Sequence, residues 1–417
     1  MHHFNYKNGN LFCEDVDIKD IAEQVGTPFY LYSHATLERH FEAFDGAFAS
    51  VPHIICYSVK ANSNIAVLRL FSSLGGGADI VSGGELFRAI KAGVDPGKIV
   101  YSGVGKKEDE MEYAIKTDIL MFNVESRQEL ERLDKVAGRL QRKARISLRV
   151  NPDVDPKTHP YISTGLKENK FGIPIAESLE TYRFAASLKN IHIVGVDCHI
   201  GSQLTDVQPF ADALEKVKTL ITDLRNEGIK IKYLDLGGGL GITYKEEAPP
   251  HPTEYGEVII KSAKDMDVTL VFEPGRVIVG NAGILVSRVL YTKAVEEKNF
   301  IIGDAGMNDL ARPSLYGSYQ QIIPVEKNDE PQIVADVVGP ICESGDFLAK
   351  NREVQRLKQG DLFAVASSGA YGFTMSSNYN SRTRVAEVMV KGDAFEVIRE
   401  REEYRDLIKG EKIPSFI

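Results

Sequence analysis

The chain predicts a parallel (β/α)8 barrel followed by a mostly antiparallel β domain. Two observations carry that prediction. Eight short apolar runs, at 54–59, 78–81, 99–101, 119–122, 146–150, 194–196, 233–236 and 270–272, alternate with amphipathic stretches of helical length. Beyond residue 282 the alternation stops, and 284–295, 333–338, 362–366 and 385–390 read as alternating or β-branched strands. The rival architecture, an open doubly wound sheet, calls for Gly-x-Gly-x-x-Gly after its first strand, and Lys60 stands in that place. A chain of 417 residues is long enough for two domains. The barrel is expected over 29–283, and the β domain over 284–417 together with 1–28.

In chain order, a short strand is expected at 29–32, after Gly26-Thr27-Pro28, with Ser33 capping a helix whose apolar positions are Leu37, Phe41, Phe44 and Phe48. Later helices are expected at 125–137 and 206–227, and Gly93, Gly138 and Gly228 are placed to stop helices. The connection over 151–174 is irregular. It holds three prolines besides Pro152, with His159, Lys170 and Phe171 among them, and a long loop at the C-terminal end of a barrel reads as a functional lid. In the second domain Lys391-Gly392-Asp393 suits a turn before a strand at 395–398.

Composition narrows the function. With 43% hydrophobic and 26% charged residues the chain is of ordinary globular type. A net charge of −9 argues against nucleic acid or an anionic membrane as partner, while leaving room for a local basic pocket. Residues 1–10 lack the apolar core of a secretory signal, and no stretch is long enough to span a bilayer, so a cytoplasmic location is expected. The four cysteines, Cys13, Cys56, Cys198 and Cys342, form no Cys-x-x-Cys pair and read as reduced thiols without a metal site.

In a parallel barrel the active site lies at the C-terminal ends of the strands, so the residues there should converge on one chemistry. After the first strand comes Lys60, after the second Asp79 and Ser82-Gly83-Gly84-Glu85, and after the sixth His199-Ile200-Gly201-Ser202-Gln203. The seventh is followed by Gly237-Gly238-Gly239-Leu240-Gly241 and the eighth by Glu273-Pro274-Gly275-Arg276. A lysine just beyond a buried strand is often a solvated surface residue; with a dry stem it is a nucleophile toward an aldehyde. A glycine run is often a plain turn; beyond a late barrel strand it can also present N–H groups to a phosphate, with Gly275 and Arg276 adding a second approach and a cation. Amine, phosphate cradle and the carboxylate of Glu273 are together what pyridoxal phosphate requires, the acid serving its ring nitrogen. His199 is either a structural histidine or a group that stacks on the ring or holds its edge.

Tyr57-Ser58-Val59-Lys60-Ala61-Asn62, His199-Ile200-Gly201-Ser202, Gly237-Gly238-Gly239 and Glu273-Pro274-Gly275-Arg276 resemble the signature of the alanine-racemase-fold (fold type III) pyridoxal-phosphate decarboxylases. The resemblance runs from about Thr27 to Tyr379. Within that family it is greatest to the members acting on meso-2,6-diaminopimelate, through His159-Pro160-Tyr161-Ile162-Ser163-Thr164-Gly165, Lys170-Phe171-Gly172, Ala311-Arg312-Pro313-Ser314-Leu315-Tyr316 and Gly339-Pro340-Ile341-Cys342-Glu343-Ser344-Gly345-Asp346. The resemblance implies a carboxy-lyase making L-lysine and carbon dioxide, the last step of lysine biosynthesis.

It also implies residue roles. Lys60 would carry the cofactor aldehyde, and Asp79, His199, Ser202, Gly237, Gly238, Gly239, Glu273, Gly275, Arg276 and Tyr371 would contact the cofactor. Arg276, Arg312, Tyr316, Glu343 and Tyr371 would bind the substrate, two arginines clamping carboxylates and Glu343 meeting the distal ammonium. Cys342, otherwise readable as an inert thiol, would return the proton after carboxylate loss. Family members acting on ornithine carry acidic residues where Arg312 falls, which favours a diacid. The resemblance further implies a two-fold homodimer in which Cys342 and Glu343 reach the neighbouring subunit's cofactor. The alternatives are a same-fold decarboxylase of carboxynorspermidine, ornithine or arginine, a racemase, and a non-catalytic pyridoxal-phosphate-binding protein.

Overall fold

The structure is a computed structural model that describes residues 2–154, 170–296 and 298–417. The motif at 159–165 and the middle of the 151–174 connection therefore lie outside the described residues. The chain forms two compact units, one of Glu38–Thr243 with Glu247–Ile278, the other of Met1–Leu37, Tyr244–Glu246 and Val279–Ile417.

The first unit holds a closed barrel of eight parallel strands: His53–Ser58, Gly77–Ile80, Ile99–Tyr101, Met121–Val124, Ala144–Asn151, Ile191–Asp197, Tyr233–Asp235 and Thr269–Phe272. Each pairs in parallel with the next, and the eighth pairs with the first, Val271 lying opposite Ile54. The lower interior is apolar, with Cys56, Val100, Met121, Val194 and Val271 in one cluster. Helices start where polar caps satisfy their free N–H groups. Ser82 accepts from Glu85 N at 3.2 Å while the Glu85 carboxylate reaches back to Val81 N at 2.8 Å. Ser126 accepts from Glu129 N at 3.2 Å, which starts that helix at Arg127, two residues after the expected start at 125.

The second unit is built on a nine-stranded sheet. Its path runs Phe347–Gln355, Gln332–Val338, Lys298–Gly303, Gly283–Val295, Phe29–Ser33, Ala386–Lys391 and Ala394–Arg399, with Leu362–Val365 and Ile322–Pro324 off that path. Most neighbours are antiparallel. Two pairs are parallel, Lys298–Gly303 with Gln332–Val338 and Phe29–Ser33 with Ala386–Lys391. The strand Phe29–Ser33, expected to open the barrel domain, lies in this sheet between Gly283–Val295 and Ala386–Lys391, because all five of its residues are buried and need cover on both faces. A three-stranded N-terminal sheet and the helix Ile18–Val25 share its core, Leu11, Cys13, Ile18 and Ile21 clustering with Ile284, Val286, Val388 and Val390.

Candidate active site

Lys60 rides on a single 3-10 turn, Val59–Ala61, at the C-terminal end of the first barrel strand. The buried Tyr57 fixes that turn by donating its hydroxyl to the Asn62 carbonyl at 3.1 Å. Lys60 Nζ donates to Asp79 Oδ2 at 2.5 Å, and the Asp79 side chain is fully buried. The Ser58 hydroxyl bridges Asp79 Oδ2 at 2.7 Å and the Glu273 carbonyl at 2.9 Å. The amine of the first strand is thereby tied through two side chains to the end of the eighth.

Glu273 Oε1 accepts from Ser102 Oγ at 3.0 Å and from Asn123 Nδ2 at 3.1 Å. Burial pushes its carboxyl up to about 7 and Asp79 adds to the rise, against the pull of Lys60 and Arg149. Asn123 also donates to Asp235 Oδ2 at 3.0 Å, and Asp235 Oδ1 accepts from Gly237 N at 3.0 Å, so the polar layer continues to the glycine run. Burial raises Asp235 and Asp197 well above the ordinary carboxylate range, and Asp197 Oδ1 meets no hydrogen-bond partner among the described residues.

The glycine run is dictated by close approach. A Cβ on Gly237 would stand 2.7 Å from the His199 ring, and one on Gly238 2.3 Å from the Glu273 carbonyl oxygen. The loops that follow the sixth and seventh strands are joined by Leu204 N donating to Gly239 O and Gly241 N to Leu204 O, both at 2.9 Å. Burial first, and then the Arg149 and Lys60 cations, hold the His199 imidazole well below its usual range, so the ring is neutral. Arg276 opens the short helix Arg276–Val279 and donates to Ser202 Oγ at 3.2 Å. Gly275 packs on the first strand, where a Cβ would meet Ser58 and Ala61 at 3.0 Å.

The second unit carries the other sequence-predicted residues. Arg312 is buried at the start of the helix Arg312–Tyr316, its guanidinium 5.1 Å from the Tyr244 ring and 5.8 Å from that of Tyr316. Cys342 and Glu343 are exposed on a loop held by two backbone bonds and one side-chain bond. Cys342 N donates to Asn380 Oδ1 and Ile341 N to Asp346 Oδ2, both at 2.7 Å, while Tyr379 donates to Glu343 Oε2 at 3.2 Å. Tyr371 sits at φ +55°, in the left-handed region.

The architecture at residues 34–280 matches a family model, that of the pyridoxal-dependent decarboxylases, pyridoxal binding domain. Along the whole chain the similarity is closer. A diaminopimelate decarboxylase of Vibrio cholerae serotype O1 is 55% identical over 409 residues, covering 98% of each chain. The chain belongs to the pyridoxal-dependent decarboxylases, in the diaminopimelate decarboxylase family. One from Pseudomonas aeruginosa is 53% identical, covering 99% of each. Among solved structures, diaminopimelate decarboxylase from Helicobacter pylori complexed with L-lysine has a TM-score of 0.91 and 43% identity, covering 94% of this chain and 98% of that one.

The residues present fit the cofactor of this family. Lys60 supplies an amine, Glu273 a buried carboxylate, and the glycine run a close backbone turn in which a Cβ on Gly237 or Gly238 would collide with His199 or the Glu273 carbonyl. The residues that sequence reading missed are Ser102, Asn123, Glu125, Arg149, Asp197 and Asp235, all buried at the upper barrel interior. Each is a polar residue in or just after an otherwise apolar run, a placement that a buried parallel strand tolerates only when the side chain has a partner. That interruption was the available signal.

Proposed function

We infer that this chain decarboxylates meso-2,6-diaminopimelate to L-lysine and carbon dioxide with pyridoxal phosphate, the last step of lysine biosynthesis. The observation that carries this reading is the end-to-end match, 55% identity over 98% of both chains, to a relative of that activity. When bound, the cofactor supplies an electron sink for the pair released as the carboxylate departs.

The chain's own residues do the rest. Lys60 binds the cofactor aldehyde, and Asp79, already 2.5 Å from its nitrogen, orients that amine and holds its proton. Glu273 meets the ring nitrogen. A cation there reverses the rise in the carboxyl's proton affinity, so nitrogen and acid share a proton with charge on both. His199, neutral and packed on Gly237, offers a flat uncharged face that leaves the ring's electron demand intact. Gly237, Gly238, Gly239, Gly275, Ser202 and Arg276 bind the phosphate. Arg276, Arg312, Tyr316, Glu343 and Tyr371 hold the far end of the substrate, where one carboxylate and one ammonium must be matched together. Cys342 delivers the proton to the carbon that has lost carbon dioxide.

We place the active molecule as a two-fold homodimer in the cytoplasm, with Cys342 and Glu343 serving the partner's cofactor. The exposure of both side chains in one chain and the four free thiols support that reading. Two experiments test it. Carbon dioxide release is measured with diaminopimelate, ornithine, arginine and carboxynorspermidine; turnover of ornithine above that of diaminopimelate overturns the substrate. Mixing Lys60→Ala with Cys342→Ala protein should recover activity in hybrid dimers, and its absence in dimers proven to be mixed overturns the shared site.

A further inference from the structure

A buried carboxylate given no role above organises one side of the barrel mouth. Glu125 follows the fourth strand, and its side chain is only 1% exposed. Its Oε1 accepts from Gly103 N at 2.9 Å and from Arg149 Nη1 at 3.1 Å, while Oε2 accepts from Gly172 N at 3.0 Å. Gly103 follows the third strand, Arg149 lies near the end of the fifth, and Gly172 precedes Ile173–Pro174, which pair with Val150–Asn151. One carboxylate thus joins three segments. It is itself held from behind, since Glu125 N donates to Glu129 Oε2 at 3.0 Å and Glu129 pairs with the fully buried Lys106 at 2.7 Å.

The cation in this arrangement is the consequential one. Arg149 is buried, has Asp197 as its register partner on the sixth strand, and lies close enough to Asp197 and Glu273 to interact with both through charge. An arginine in that position would ordinarily take a fork-shaped bond to the nearest free carboxylate. It does not. Among the described residues the guanidinium donates to Glu125 alone, with Phe171 packed over it at 4.8 Å, and Asp197 Oδ1 is left without a partner. Arg149 paired to Glu273 would keep that carboxylate ionised but occupy it, and so compete with the ring nitrogen for it.

We propose that Glu125 is a positioning residue that captures Arg149 and so keeps the Glu273 carboxylate available to the cofactor. The inference rests on the pyridoxal-phosphate reading above and adds to it a division of labour among buried carboxylates: Glu125 takes the protein's cation, Glu273 the cofactor's. The decisive property is a rescue. Glu125→Gln frees Arg149, and the affinity of the apoprotein for pyridoxal phosphate, read by absorbance titration, should fall by about tenfold to 100-fold, the usual range for losing an orienting partner behind a site. Adding Arg149→Met removes the freed cation, and the double variant should bind the cofactor more tightly than Glu125→Gln alone.

A merely structural carboxylate predicts the reverse, a double variant no better than the single one, and that result overturns the proposal. So does Glu125→Gln with wild-type cofactor affinity. Should Glu125→Gln not fold, the double variant decides: cofactor binding near the wild-type level supports the proposal, and its loss overturns it. Wild-type protein that takes up no pyridoxal phosphate overturns the cofactor reading along with this one, whereas normal wild-type uptake confines any failure to Glu125.

Discussion

The barrel unit and the β unit present their chemical groups in opposite ways. In the barrel, Lys60, Asp79, Ser58, Glu273, Asn123 and Asp235 form an unbroken series of short bonds rooted on strand ends, all of them buried except Lys60, whose side chain is 34% exposed. In the β unit, Cys342 and Glu343 stand exposed on a loop whose backbone, more than whose side chains, is held. Preorganised charge in a dry site acts strongly because nothing needs to reorient. Groups that must meet a substrate entering and leaving gain from loop placement instead. The difference is that the barrel's polar groups are already bonded to one another, whereas the thiol and carboxylate of the loop stand open to solvent.

If that division holds, substitutions in the two units should differ in kind as well as size. Lys60→Ala should have the largest effect, lowering kcat on the order of 10⁴-fold or more and abolishing the visible absorbance of the bound cofactor, since in the proposed reading Lys60 carries the aldehyde. Cys342→Ala should lower kcat by roughly 10² to 10⁴, the range of a lost general acid, while leaving that absorbance intact. Equal spectral loss in both variants would erase the contrast. Arg312→Leu should come next, raising KM for diaminopimelate by roughly 10- to 100-fold through one lost charge-assisted pair, without altering cofactor uptake.

The same contrast explains what was legible in the sequence. The barrel strands announce themselves because a parallel strand covered on both faces is a run of apolar residues, and their observed positions follow those runs closely. The fourth, expected at 119–122, is found at Met121–Val124, because Asn123 turns inward to Glu273 and interrupts the run, and the sixth, expected at 194–196, already begins at Ile191. The β unit hid more. Phe347–Gln355 carries Lys350, Asn351, Arg352 and Glu353 yet forms a nine-residue edge strand, held by backbone bonds to Gln332–Val338 that make no demand on side-chain type. Lys60 and Glu273 could be argued from their strand ends, whereas Cys342 and Arg312 were readable only through family resemblance. A loop residue such as Cys342, or the first residue of a five-residue helix such as Arg312, has no periodicity to betray it.

The smallest expected effect concerns pH and tests whether the buried acids are held for the cofactor. Burial, reinforced by Asp79, raises the Glu273 carboxyl from its ordinary value of 4.5 to about 7, and burial raises Asp197 and Asp235 in the same direction. A carboxyl that binds its proton more tightly folded than unfolded contributes stability that is fully present below the unfolded pKa and is lost as pH rises through the folded one. For Glu273 that window runs from about 4.5 to about 7. Melting temperature of the apoprotein should therefore fall as pH rises across it. If the ring nitrogen meets Glu273 as proposed, pyridoxal phosphate should reverse the sign at this one group, because a protonated nitrogen beside it favours the carboxylate. The loaded protein should lose less stability over the same window, and Glu273→Gln should flatten the apoprotein's decline while leaving that of Cys342→Ala unchanged. Parallel curves for apoprotein and loaded protein would mean that the acid and the ring nitrogen do not meet, and the barrel would then have no more claim to the cofactor than the loop beside Cys342.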